Sequence, residues 1–152
     1  IIRPPLVYGP GVKANFFKLM KLVEKNIPLP LKSVQNKRSL VAVDNLVDLL
    51  ITCVDHPGAA GKTFLVSDGE DHSTPGLINK LATGMDVSAR LFPFPPKLLR
   101  IVGRFTGYNK QIDSLTTFLQ VDISHTCNAL KWYPKVSSDE AFHQTICSRV
   151  ER

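Results

Sequence analysis

The sequence predicts a mixed α/β fold, and three observations carry that expectation. First, Ile1-Ile2-Arg3-Pro4-Pro5-Leu6-Val7 is apolar and rich in β-branched residues, and it breaks at Gly9-Pro10-Gly11 just before an amphipathic helix. Second, Ser39 to Val43 reads as another short strand that runs directly into a helical pattern. Third, apolar residues recur at i, i+3, i+4 and i+7 through most of the remaining chain, the spacing of helices with one buried face. Strands alternating with helices point to α/β architecture, in which ligands bind outside the C-terminal ends of the strands.

The chain has 152 residues and a 43% apolar fraction. A single domain spanning 1–152 is expected, since a chain of this size buries about 70% of its unfolded surface. No run of about 18 apolar residues occurs, so no membrane-spanning segment is expected. With no charged-then-apolar leader, the expected location is cytoplasmic, with no membrane partner. Cys53, Cys127 and Cys147 are odd in number and widely separated, which fits reduced thiols. Without C-x-x-C or close Cys/His pairs, no metal site is expected.

The net charge of +6 is uneven. Lys13, Lys18, Lys21, Lys25, Lys32, Lys37 and Arg38 form a basic block that contains only Glu24 as an acid. Such a block raises the local anion concentration and can serve a diphosphate, an acidic partner or nothing beyond solvation. A helix is expected over 11–26, with Phe16, Leu19, Met20 and Val23 buried and Lys18, Lys21 and Lys25 on the opposite, solvated side. Nucleic-acid binding calls for exposed aromatics among the cations; Phe16 lies in the apolar stripe instead, so no nucleic-acid partner is expected.

In chain order, Ile27-Pro28-Leu29-Pro30-Leu31 is an extended edge segment, because alternate prolines remove donors from one side. Gln35-Asn36-Lys37-Arg38 is polar and turn-like. Asp44 is expected to cap a helix that buries Leu46, Val47, Leu50, Ile51 and Val54 and ends at Pro57-Gly58. Lys62 to Val66 is a short strand, and Asp68, Glu70, Asp71 and His72 form a solvated loop without calcium-loop spacing. Thr74-Pro75 starts a helix, with Thr74 as cap and Leu77, Ile78, Leu81, Ala82 and Met85 buried. Arg90 to Pro96 is extended and leads into a core helix with Leu98, Ile101, Val102 and Phe105 inside. Tyr108 to Leu119 presents Ile112, Leu115 and Leu119 on one face and polar Asn109, Lys110, Gln111 and Asp113 on another. Val121 to Ile123 is a brief strand, Ser124 a cap, and Ala129-Leu130 the buried edge of a short helix closed by Trp132. Ser137 to Glu140 is a capping box for a last helix docked by Phe142, Thr145, Ile146 and Val150. His125 and His143 have no nucleophile or second ligand at recognisable spacing and read as ordinary histidines.

Arg3-Pro4-Pro5-Leu6-Val7-Tyr8-Gly9-Pro10, then Arg38-Ser39-Leu40-Val41-Ala42-Val43-Asp44-Asn45-Leu46, then Val121-Asp122-Ile123-Ser124 running to Leu130-Lys131-Trp132, resemble the extended short-chain dehydrogenase/reductase family in order and spacing. The match is to its NAD-dependent nucleotide-sugar epimerases and dehydratases, of the UDP-glucose 4-epimerase kind, and to the C-terminal half. The resemblance implies the substrate-binding part of such an enzyme, with residues 1–11 as the last strand of its Rossmann sheet and the N-terminal Rossmann core missing. The Gly-rich dinucleotide turn and the catalytic Tyr-x-x-x-Lys are absent: Tyr8, Tyr108 and Tyr133 are followed four places on by Val12, Ile112 and Ser137. No catalytic residue is therefore expected here, and the fragment alone is expected to be inactive and to bind no cofactor tightly.

By the same resemblance, Arg3, Pro4 and Pro5 would pass beside the nicotinamide of NAD or NADP. Leu6 would point to the sugar, Lys13, Asn15, Leu29, Leu31 and Leu40 would line the nucleotide site, and Arg38 would grip the diphosphate with its planar fork of donors. Lys110 is the local cation for a second diphosphate contact. The implied partner is a nucleotide-diphosphate sugar, with UDP as the family default. Leu6 stands where many members carry an asparagine that can hydrogen-bond the sugar nucleotide. Epimerisation at sugar C4 by transient hydride transfer is the leading activity; a reductase or dehydratase of the same family, or a non-catalytic module for an acidic partner, are the alternatives. The orphan first strand also implies self-association through its free backbone edge.

Overall fold

The computed structural model describes residues 1–150, apart from the side chains of Ala14, Thr106, Arg149 and Val150, so the expected docking of Val150 lies outside the described side chains. The elements run β1 (Ile2–Arg3), β2 (Leu6–Tyr8), α1 (Ala14–Glu24), β3 (Arg38–Ala42), α2 (Val43–Asp55), β4 (Phe64–Leu65), β5 (Asp71–His72), α3 (Thr74–Gly84), α4 (Pro96–Thr106), α5 (Asn109–Thr116), α6 (Ser124–Leu130) and α7 (Ser138–Val150). The fold is mixed α/β, as the sequence predicts. The chain divides into two compact units: Ile1–Val12, Ser39–Asp71 and the segment from Leu119 onward form one, Lys13–Arg38 and His72–Phe118 the other.

In the first unit the opening stretch is two strands rather than one. Proline offers no N–H to a ladder, and β1 stops before Pro4 while β2 starts after Pro5. β1 pairs in parallel with β4, Ile2 opposite Phe64. β2 pairs in parallel with β3, Leu6 opposite Leu40 and Tyr8 opposite Ala42, in a sheet of order β2–β3–β5. At the exit of β2, Gly9 has φ +151°, and a Cβ there would stand 2.5 Å from Val43 Cγ1, so no side chain fits. The Val12 amide donates to the Gly9 carbonyl to close this turn, and α1 starts at Ala14, three residues later than expected.

Val41, Leu49, Phe64, Val66, Leu130 and Trp132 form the buried cluster of this unit. Beside it lies a polar knot that the sequence does not announce. The Asp68 carboxylate accepts from the Ala42 amide at 2.9 and 3.1 Å, from Asn45 Nδ2 at 2.7 Å and from the Tyr8 hydroxyl at 2.9 Å. Asn45, fully buried, also donates to the Val136 carbonyl at 2.9 Å and accepts from the Lys135 and Val136 amides at 3.0 Å each. Asp68 is thus the acceptor for a buried strand end, not a member of a solvated loop. With Ala42 held this way, Ala42 takes the N-cap position, and Asp44 sits inside the first turn, where it favours the helix dipole without capping.

Of the apolar stripe expected to bury α2 only Leu46 packs against the core; Val47, Leu50 and Ile51 are exposed and Val54 is 83% exposed, while Asn45 and Leu49 face inward. Val121 to Ile123 forms no strand; the Ser39 hydroxyl accepts from the Val121 amide at 2.8 Å and donates to Asp71 at 2.6 Å, which ties the segment down by side-chain bonds. Ser124 is the first residue of α6 rather than its cap; Ile123 takes the N-cap position without a side-chain bond, and the Ser124 amide donates to Asp122 at 2.8 Å. At α7, Ser137 Oγ accepts from the Glu140 amide at 3.3 Å, in line with the expected box, and Phe142 stacks on Tyr8 at 4.5 Å.

In the second unit α1 packs on α3, and Phe16, Leu19, Met20, Val23, Leu77, Ile78, Leu81 and Ala82 are all buried, as their spacing predicts. Ser73, not Thr74, is the N-cap, accepting from Gly76 at 3.1 Å. Thr74 is buried instead against Asn36, which is no surface turn residue: its Oδ1 accepts from the Thr74 amide at 2.9 Å, and its Nδ2 reaches Thr74 Oγ1 at 3.0 Å and the Leu115 and Thr117 carbonyls at 3.2 Å. Leu29 bridges Leu91 in parallel, the one short pairing the proline-limited segments make among the described residues. α4 is the second correction of burial: Leu99 is inside, while Leu98, Ile101, Val102 and Phe105 are exposed.

Two expectations test these packing arguments. Asn45→Ala strips partners from the Lys135 and Val136 amides and from Asp68, and should cost about 3 kcal/mol in urea unfolding, since each buried group left unpaired costs about 1–3 kcal/mol. A loss under about 1 kcal/mol would show that the knot does not hold the unit. Asp48 accepts from Lys135 Nζ at 2.5 Å and Trp132 Nε1 at 2.7 Å, and these bonds hold its carboxyl below the usual range, Lys135 contributing most. Its stabilising effect is therefore present above the unfolded value of about 3.9 and lost as pH falls through the lower folded value. Because Lys135 is mostly exposed, the advantage of the native chain over Asp48→Asn should be about 1 kcal/mol or less near neutrality and vanish in acid, measured by unfolding at several pH values.

Candidate functional site

The two units carry different parts of the expected site. In the first, Arg3 and Pro4 are exposed and Pro5 half-buried in the connection between β1 and β2, outside both ladders. Leu6 is half-buried and sits opposite the buried Leu40 across the parallel β2–β3 pair, so these two expected substrate residues are brought together. Tyr8 follows on the same strand, but its surroundings disqualify it as a proton acceptor. Burial first, and the charge and hydrogen bond of Asp68 second, push its phenol pKa far above the ordinary value.

In the second unit Arg38 opens β3, and its backbone position is fixed by a five-residue strand. Its Nη1 is buried and has no hydrogen-bond partner among the described residues. Burial pulls the guanidinium below its usual pKa, yet arginine stays protonated in proteins. A buried donor of this kind calls for an acceptor. Leu29 is half-buried at its bridge to Leu91, and Leu31 is buried. Lys13 is exposed at the N-cap of α1, where its own side chain makes no capping bond.

A cavity of about 410 Å³ opens within this unit, lined by Asn15, Lys18, Leu19, Lys21, Leu22, Lys25, Ile27, Tyr108, Gln111, Ser114 and Leu115. Asn15 is the expected site residue found on it. The three lysines of α1, read from the sequence as a solvated face, form part of its wall, with Lys21 also lying over the Phe17 ring at 4.5 Å. Lys110 is exposed and is not on the wall; the neighbouring Gln111 is. Gln111 Oε1 is buried without a hydrogen-bond partner, an acceptor facing a missing donor. Its one sequence signal was membership of the polar face of the Tyr108 to Leu119 segment, which could not separate it from Lys110.

Outside these residues, His143 and Cys147 stand one turn apart on α7 with Sγ 3.7 Å from Nδ1, so the expectation that His143 has no nucleophile near it is corrected; both side chains are exposed. Burial raises the Cys53 and Cys127 thiols above their usual pKa, which makes them poor nucleophiles. His125 stacks on Phe64 at 5.8 Å.

No protein-family model matches the chain. A UDP-glucose 4-epimerase from Vibrio cholerae is 53% identical over 146 residues, covering 95% of this chain and 44% of the relative. An epimerase from Methanothermobacter thermautotrophicus superposes with a TM-score of 0.72 at 18% identity, covering 99% of this chain and 42% of that one. A UDP-glucose 4-epimerase from Thermotoga maritima, solved with UDP-glucose, gives 0.67 at 18% identity, covering 99% and 45%. These structural likenesses show the fold, and the chain spans less than half the length of each protein it matches. The sequence identity, carried along nearly all of the chain, places it in a family: the chain belongs to the extended short-chain dehydrogenase/reductases, among their nucleotide-sugar epimerases and dehydratases.

Proposed function

We propose that this chain is the nucleotide-sugar-holding part of an NAD(P)-dependent epimerase that inverts sugar C4, and that by itself it binds substrate without turning it over. The observation that carries this reading is Arg38, a buried guanidinium nitrogen without a partner, at the position where the family resemblance puts the diphosphate contact. The 53% identity to the Vibrio cholerae UDP-glucose 4-epimerase supports a UDP-sugar as the ligand. Leu6 beside Leu40 supplies an apolar contact toward the sugar in place of an amide.

The nicotinamide cofactor would accept a hydride from C4 and return it to the opposite face. Arg3, Pro4 and Pro5 fit one edge of its site, because Pro4 and Pro5 stand outside both strand ladders and offer a flat, partly exposed surface to a ring. The chain's own tyrosines do not fit the proton-transfer role: no tyrosine is followed four places on by lysine, and Tyr8 is held protonated by burial beside Asp68. The work of these residues is thus to bind and orient: Arg38 the diphosphate, Asn15 and Leu29 the nucleoside.

Calorimetric titration of the chain with UDP and with uridine tests the proposal. UDP should bind more tightly than uridine, and Arg38→Ala should weaken UDP about 10- to 100-fold while leaving uridine unaffected, as expected for loss of a charge-assisted hydrogen bond. Arg38→Lys should recover part of the loss, because lysine keeps the charge without the fork. Equal affinity of Arg38→Ala and the native chain for UDP would refute the assignment.

A further inference from the structure

We propose that α4 is an interfacial anchor that lays this chain on an anionic phospholipid surface. Leu98, Ile101, Val102 and Phe105 recur at i, i+3, i+4 and i+7 and are 48%, 50%, 48% and 88% exposed, so one stripe of the helix presents four large apolar side chains to solvent. At 100° per residue, Lys97 and Arg104 fall along one margin of that stripe, Arg100 lies farther round and donates to Thr116 Oγ1 at 3.5 Å, and the buried Leu99 and Gly103 fall beyond the other margin. The helix therefore has a packed face, an exposed apolar face and a basic margin.

Exposed aromatic and proline residues lead into it: Phe92, Pro93 and Pro95 are all exposed, as is Arg90. Gly107, with φ +76°, ends the helix in a left-handed turn, and exposed Tyr108 follows. Asp113 of α5 shares a hollow with Arg100 and Arg104, whereas Lys97 and Arg90 are exposed and do not line it.

The charge pattern decides the occupant. The exposed stripe of α2 has the same spacing, but that helix carries Asp44, Asp48 and Asp55 and no lysine or arginine, so it offers nothing to an anionic surface. α4 carries three cations and no acid. An apolar stripe bordered by lysine and arginine is the pattern of helices that lie in the plane of a membrane with the apolar side chains among the acyl chains and the cations at the headgroups. The 11-residue helix is about 16 Å long and lies on such a surface rather than crossing it. No helix among the described residues is long and apolar enough to span a membrane.

Co-sedimentation of the 152-residue chain with vesicles of equal parts phosphatidylglycerol and phosphatidylcholine, compared with phosphatidylcholine alone, tests the proposal. Binding is expected to the anionic vesicles, to fall in high salt, and to weaken about tenfold in Ile101→Ser/Phe105→Ser, whose folding is checked by circular dichroism. Lys97→Gln and Arg104→Gln should each weaken it about fivefold. A Phe105→Trp reporter should blue-shift on addition of the anionic vesicles. Absence of binding, equal binding to both vesicle types, or an unaffected double serine variant would overturn the proposal. So would a concentration-dependent dimer that the same serine variant abolishes, since the stripe would then serve a second copy.

Discussion

The first unit rests on a single carboxylate. Asp68 gathers the end of β3 through the Ala42 amide, β2 through the Tyr8 hydroxyl and α2 through Asn45, and Asn45 passes the connection on to Lys135 and Val136. Parallel strands leave the amides at their ends without ladder partners, and burial makes each unpaired amide costly. A buried Asn–Asp pair resolves that cost in one place and fixes the direction in which the chain leaves β3. Asn36 plays the corresponding part in the second unit, where its amide collects Thr74, Leu115 and Thr117. Each unit is thus organised by an asparagine that satisfies backbone groups from distant segments.

That economy has a functional corollary. Buried groups without a partner carry information, and among the described residues the side chains that stand out are Arg38 and Gln111. One offers a donor and the other an acceptor, and both belong to the unit that carries the lysine-walled cavity.

The sequence made the helices and the α/β class legible because period 3.6 and the Gly-Pro-Gly turn are local signals. α1 and α3 bury the residues their spacing marks. The same spacing failed for α2 and α4, since periodicity identifies an apolar face without saying what lies against it: Leu50 and Ile101 look alike in sequence to Leu19, yet they are exposed and Leu19 is buried. The caps slipped by one or two residues, at Asp44, Thr74 and Ser124: Ser73 competes with Thr74 next door, whereas the N-caps of α2 and α6 are Ala42 and Ile123, which carry no capping side chain. Asn36, Asn45 and Asp68 were illegible for a different reason. Their partners lie 23 to 91 residues away along the chain, and no local pattern encodes such pairings. For the site, the family motif pointed to Arg38, whereas Gln111 emerged from burial alone.

The most direct test of the binding account is backbone amide NMR of the labelled chain titrated with a UDP-sugar. The account predicts that the largest shifts fall at Arg38, Asn15, Leu29 and Gln111, with Asp68 and its partners unmoved. Shifts confined to α2, α6 or α7, or no shift at any attainable concentration of the sugar nucleotide, would contradict it.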